Sequence, residues 1–174
     1  MEVFENNNIN TEGMIDNLLQ KHSLKSIFTE DHTILQKLLG TWYLYSYPSN
    51  QNLSEVWSTE TYIYDDFSVE DVHKNRGLLH IGKNQSLIIK ESHNSKNITT
   101  TIFDNARITY GNFPFSRIAK SNSFNREILS FGFFSKRKID KQEAQEILGE
   151  IKNVQLQMDY NLIERISSSI KMEG

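Results

Sequence analysis

The chain has 174 residues, a formal net charge of −3 and no cysteine. The length suits one domain, and the missing cysteines exclude disulfide scaffolds, thiolate metal sites and cysteine nucleophiles. Hydrophobic residues reach only 37%, but ten Phe, seven Tyr and two Trp make up for it, since each ring buries about 150–250 Å² and global disorder is thereby excluded. The slightly acidic balance argues against nucleic acid as a partner, and the basic run Lys136-Arg137-Lys138 reads as a solvated hairpin end.

The N-terminal Met1-Glu2-Val3-Phe4-Glu5-Asn6-Asn7-Asn8 has no basic segment followed by an apolar run, so it reads as no signal peptide. No apolar stretch approaches the roughly 18 residues of a membrane span, and the expected location is the cytoplasm. Residues 1–10, rich in Asn, are expected to be mobile. Residues 11–39 read as helical, with Met14, Ile15, Leu18 and Leu19 on one face. Asp31 or Thr33 caps a second short helix whose Ile34, Leu35, Leu38 and Leu39 share a face, and Gly40 ends it.

From Gly40 the period changes to two. Thr41–Tyr47 reads as a strand with Trp42 and Leu44 on one side and Tyr43, Tyr45 and Tyr47 on the other. Glu55–Tyr64 is a second strand, with Trp57, Thr59, Thr61 and Ile63 sharing a face. Phe67–Val72 is a third, irregular near Glu70. Short strands follow at Leu78–Ile81, Leu87–Ile89 and Ile98–Phe103, then Arg107–Phe113, which Pro114 limits or places at an edge. Phe115–Ala119 pairs weakly, and Glu127–Phe134 is a strong strand. Asp140-Lys141-Gln142-Glu143 has the character of a capping box and opens a helix with Ala144, Ile147, Leu148 and Ile151 on one face. Val154–Tyr160 reads as the last strand.

No crossover helix separates consecutive strands before residue 140, so the sheet is an antiparallel up-and-down meander of eight to ten strands. Closure into a barrel removes its edges. The fold class is therefore mainly β, with an N-terminal helical segment and one helix before the last strand. The chain reads as one domain, residues 1–39 forming the flexible N-terminus with its short helices and 40–174 the barrel.

Gly40-Thr41-Trp42 follows a short amphipathic helix and opens the first strand. This arrangement resembles the calycin barrels, the lipocalins and fatty-acid-binding proteins, whose first strand carries Gly-x-Trp. The resemblance implies a short helix closing one barrel end, a Trp packed over it, a late basic residue near that Trp (Arg165 is the candidate) and a lumen for a small ligand. The acidic turn ending in Arg that the family also carries has no copy here.

Chemistry-bearing motifs are sparse. His22, His32, His73, His80 and His93 form no metal-ligand spacing, although His73 and His80 would face one another across a turn. Asp65, Asp66, Glu70 and Asp71 read as a turn with strand-edge charges, not a calcium loop. No nucleophile elbow or phosphate loop is present. No catalytic residue, metal ligand or cofactor site is assigned. The expected function is non-enzymatic binding or sensing of a small molecule in a lumen lined by Trp42, Tyr62, Arg107, Tyr110 and Ser130, with Arg107 meeting an anionic group. The alternative is a protein-interaction module, a homodimer or a partner docking through surplus aromatics or an unpaired edge at Phe113–Ala119. Neither reading involves a membrane.

Overall fold

A computed structural model describes residues 28–48, 55–121, 126–157 and Arg165. In chain order the elements are β1 (Phe28–Thr29), α1 (His32–Leu38), β2 (Gly40–Ser46), β3 (Trp57–Ile63), β4 (Ser68–Asp71), β5 (Arg76–Gly82), β6 (Gln85–Glu91) and β7 (Ile98–Asp104). A 3-10 turn (Asn105–Tyr110), β8 (Asn112–Ser121), β9 (Arg126–Ser135), α2 (Lys141–Leu148), α3 (Ile151–Val154) and β10 (Gln155–Gln157) follow. The helix expected at 11–21 and the ambiguous stretch 161–170 lie outside the described residues, apart from Arg165.

Each strand from β2 to β9 pairs antiparallel with the next, and β9 returns to β2, with Tyr43 opposite Ser135 and Ser46 opposite Gly132. The meander thus closes into an eight-stranded antiparallel barrel. An interior of this size is filled by side chains or holds one small ligand. The two short strands extend the wall: β1 pairs with the end of β5 and β10 with the first half of β9. Among the described residues no helix is long and apolar enough to cross a membrane.

Alternation decides which face each residue takes. Trp42 and Leu44 point inward, as do Ile63, Val69, Leu79, Ile81, Ile88, Phe103, Phe113, Phe115 and Phe134. Asp31 caps α1, its side chain accepting hydrogen bonds from the Thr33 and Ile34 amides at 2.9 and 3.1 Å, and Leu35 and Leu38 of that helix are fully buried against the inward set. The opposite face of β2 is also dry. Tyr45 and Tyr47 lie under α2 with Ala144 and Leu148. Tyr45 stacks on Phe133 at 5.1 Å and exchanges hydrogen bonds with the Ile139 backbone. A large part of the aromatic surplus is therefore a second core.

Three expectations need correction. The segment expected to be a strand from Arg107 is a 3-10 turn, because the Asp104 carboxylate accepts from the Ala106 amide and Asn105 Nδ2 donates to the Gly82 carbonyl at 2.7 Å. That turn carries Ile108 into the core beside α1. Phe113–Ala119 is not an unpaired edge: it belongs to the ten-residue β8, paired with β7 on one side and β9 on the other. Pro114 sits one residue beyond the last β7–β8 pair, where the ladder is one-sided and a missing N–H is tolerated. The last described strand begins one residue later than expected, since Val154 still belongs to α3 and β10 begins at Gln155; residues 158–160 lie outside the described residues.

Candidate functional site

The barrel interior has two unlike ends. At the end closed by α1, rings fill the space: Trp42 to Phe113 at 5.0 Å, Phe113 to Phe134 at 5.2 Å, Phe103 to Phe113 and Phe115 to Phe134 at 5.0 Å. The Trp42 indole N–H donates to the Leu38 carbonyl at 2.6 Å, tying strand to plug. Lys136, just past β9, places its ammonium 4.1 Å from the Trp42 ring centre and donates to the Leu39 carbonyl at 2.7 Å. Burial lowers its pKa. Lys136 is thus a basic residue at the tryptophan; Arg165 is exposed.

At the other end the inward positions turn polar. A cavity of about 290 Å³ opens there, walled by Trp57, Asp71, Asn75, Lys90, Thr101 and Arg117. Strand register assembles it. Thr101, Arg117 and Ser130 are direct neighbours across β7, β8 and β9, and Gly77, Lys90 and Thr99 across β5, β6 and β7. A Cβ at Gly77 would collide with the Ile89 carbonyl and the Lys90 backbone, so glycine permits the close approach of β5 to β6. It also leaves no side chain between Lys90 and Asp71.

Lys90 Nζ lies 2.6 Å from Asp71 Oδ2, and the two residues are 8% and 3% exposed. Asp71 also accepts from the backbone amides of His73 and Asn75 at 3.0 and 3.2 Å and from Asn75 Nδ2 at 3.0 Å. Its four donors saturate it. Burial pushes the Asp71 carboxyl up, but Lys90 and Asn75 outweigh that and hold it below the ordinary 3.8. Burial lowers Lys90 despite its partner, and the nearby Arg117 charge adds to the effect.

Arg117 is 8% exposed, and burial pushes its guanidinium down to about 10. Among the described residues no carboxylate pairs with it and its buried Nε–H has no acceptor. Its nearest favourable contact is the Trp57 ring, 5.5 Å from Cζ, and Trp57 stacks in turn on His73 at 5.8 Å. An unpaired buried ion costs several kcal/mol even after relaxation, about ten times the worth of a surface ion pair. The hydroxyls of Ser46, Thr59 and Thr61, on the inner faces of β2 and β3, are likewise buried without a partner among the described residues.

Of the residues singled out in the sequence, Ser130 stands beside Arg117, buried on the inner face. Trp42 points inward but at the plugged end. Tyr62 faces outward, its hydroxyl donating to Glu60 Oε2 at 3.0 Å. Arg107 is exposed on the 3-10 turn. Tyr110 closes that turn, and its side chain lies outside the described part of the structure. Of the five, Ser130 alone stands beside a residue of the cavity wall, Arg117, and it does not itself line the cavity. His73 and His80 do not meet: His73 stacks on Trp57, and His80 lies against Phe28 with the rings tilted by 47°. The acidic cluster is split, with Glu70 pairing outside with Arg76 while Asp71 turns in.

Of the residues that sequence reasoning missed, Trp57, Asp71, Lys90 and Arg117, the three charged ones share one signal. Each occupies the same alternation phase as apolar inward neighbours, Arg117 after Phe113 and Phe115, Lys90 after Ile88, Asp71 after Val69. A charged residue in a core phase is the informative departure. Comparisons with protein-family models, with curated proteins and with solved structures each return no significant match.

Proposed function

We propose that this chain is a non-enzymatic domain that binds or senses a small molecule in the polar half of its barrel lumen. One observation carries the reading: the closed barrel is packed solid at one end and keeps a cavity of about 290 Å³ lined by buried polar groups at the other. A core selected only for stability would bury hydrocarbon there, since buried polar groups cost free energy unless satisfied. The helical plug, with Trp42 packed over it and Lys136 against the ring, supports a calycin-like architecture. Native mass spectrometry of the purified chain tests the proposal. A retained low-molecular-mass species, released on denaturation and lost in Thr101→Trp, which fills the cavity, is the expected result. Bare polypeptide mass, together with no response of the lumen side chains to a small-molecule screen, overturns it.

The second reading is association through the outer wall. Leu78, Ile89, Ile118 and Leu156 are exposed on β5, β6, β8 and β10. With Thr100 and Leu129 they form one cross-strand row, the kind of apolar surface that marks interaction sites. Light scattering over a concentration series decides it: a dimer that Ile118→Lys dissociates is expected, and a strict monomer overturns it.

A further inference from the structure

Resting on the lumen reading above, we infer that the ligand is a compact molecule carrying one oxyanion group, carboxylate or phosphate, that pairs with Arg117 against the Trp57 ring. The argument begins with charge. Among the described residues the cavity wall carries three cations, Lys90, Arg117 and the half-buried Lys120, and one carboxylate, Asp71. That carboxylate is committed: Lys90, the Asn75 side chain and two backbone amides already donate to it. Arg117 is left with a buried charge, an Nε–H without an acceptor among the described residues, and the Trp57 ring centre 5.5 Å from its Cζ. A guanidinium offers donors in a planar fork that matches carboxylate and phosphate oxygens. An oxyanion in the cavity would accept from that fork, and the Thr101 and Ser130 side chains stand on either side of Arg117 in register.

Size restricts the ligand further. The apolar half of the lumen is occupied by Trp42, Phe103, Phe113, Phe115 and Phe134 in ring-to-ring contact. Among the described residues these rings leave no continuous apolar channel for a long acyl chain to follow. The cavity takes a short molecule whose flat or polar remainder lies along Trp57 and the Asn75 side of the wall.

The test uses the full chain and small probes of defined charge. Benzoate, inorganic phosphate and the neutral isostere benzamide are titrated into isotopically labelled protein, following the Arg117 Nε–H and the Thr101 and Ser130 amides by NMR, with Tm recorded in parallel. Benzoate or phosphate is expected to shift these signals and raise Tm, and the two arms separate a carboxylate site from a phosphate site. Arg117→Met is expected to weaken that binding at least tenfold while leaving the empty protein's Tm unchanged or higher, because it removes an uncompensated charge; a purely structural arginine would lower Tm on removal. Arg117→Lys, which keeps the charge but not the fork, falls between them and serves if the Met variant fails to fold. Benzamide binding as tightly as benzoate, or unaltered benzoate binding in Arg117→Met, overturns the oxyanion while the lumen reading stands. Silence of every lumen signal towards all three probes overturns both.

Discussion

The two halves of the barrel lumen are built by the same strands and differ by one inward step. Along β8 the inward residues run Phe113, Phe115, Arg117; along β6, Ile88 then Lys90; along β4, Val69 then Asp71. One step is two residues, about 6.8 Å of strand. On one side of that boundary the inward apolar groups form one cluster with the aromatic rings and the α1 plug. On the other lie an ion pair, a lone guanidinium, several hydroxyls and open volume. The closed half contributes stability through buried area. The open half gives some of it back, a cost that the proposed ligand would recover.

Substitutions that break the contrast should act on stability in the closed half and on the ion balance in the open half. The largest effect is expected at the plug. Trp42→Ala removes the ring at the centre of the aromatic cluster, the hydrogen bond to Leu38 and the seat of Lys136. A loss of about 3–5 kcal/mol is expected from the cavity alone, measured by urea denaturation.

Asp71→Asn comes next. It leaves Lys90 buried beside Arg117 with no counter-ion, and removing one member of a buried pair typically costs about 3–5 kcal/mol, with the lower end expected here because water reaches the cavity. The same carboxyl fixes a pH dependence. Its folded pKa lies below the ordinary 3.8, so its contribution is fully present above that value and is lost as pH falls through the folded value. Thermal melts of the wild type should therefore fall on an acid limb below about pH 4, and Asp71→Asn should flatten that limb. An unchanged limb in the variant would place the acid sensitivity elsewhere.

Gly132→Ala sharpens the picture of the wall. A Cβ there meets the Tyr45 carbonyl oxygen and the Phe115 ring, so the substitution strains the β9–β2 seam that closes the barrel and should cost about 1–3 kcal/mol, read from the denaturation midpoint. Lys136→Ala, losing a cation–π contact and a bond to Leu39, should cost about 1 kcal/mol. The smallest effect is expected in the opposite direction. Thr59→Val deletes a hydroxyl that has no partner among the described residues and should leave stability unchanged or raise it by up to about 1 kcal/mol. Appreciable destabilisation would show that the hydroxyl is satisfied.

Much of this architecture was legible locally. The capping aspartate and the spacing of Leu35 and Leu38 specify α1, and period-two alternation gives the faces of β2 and β3 before any pairing is known. The absence of crossover helices makes the sheet antiparallel. The misreadings have local causes as well. The Arg107 segment carries β-forming residues, but the Asp104 cap and the tether from Asn105 to Gly82 turn it into a 3-10 helix, and the tether's partner is 23 residues away in sequence. Choosing Arg107 as the cation of the site followed from that error.

The amino-acid order by itself determined the alternation of β2 and β3, the plug and the tryptophan that seals it, because these depend on residues within a few positions of one another. The tertiary structure alone decided that β9 closes onto β2, that Asp71 spends its acceptors on Lys90 and Asn75, and that Arg117 is consequently left without a counter-charge. Alternation says which residues face inward. Which of them meet, and which charge is left over, depends on strand register and barrel closure, and those bring together residues tens of positions apart.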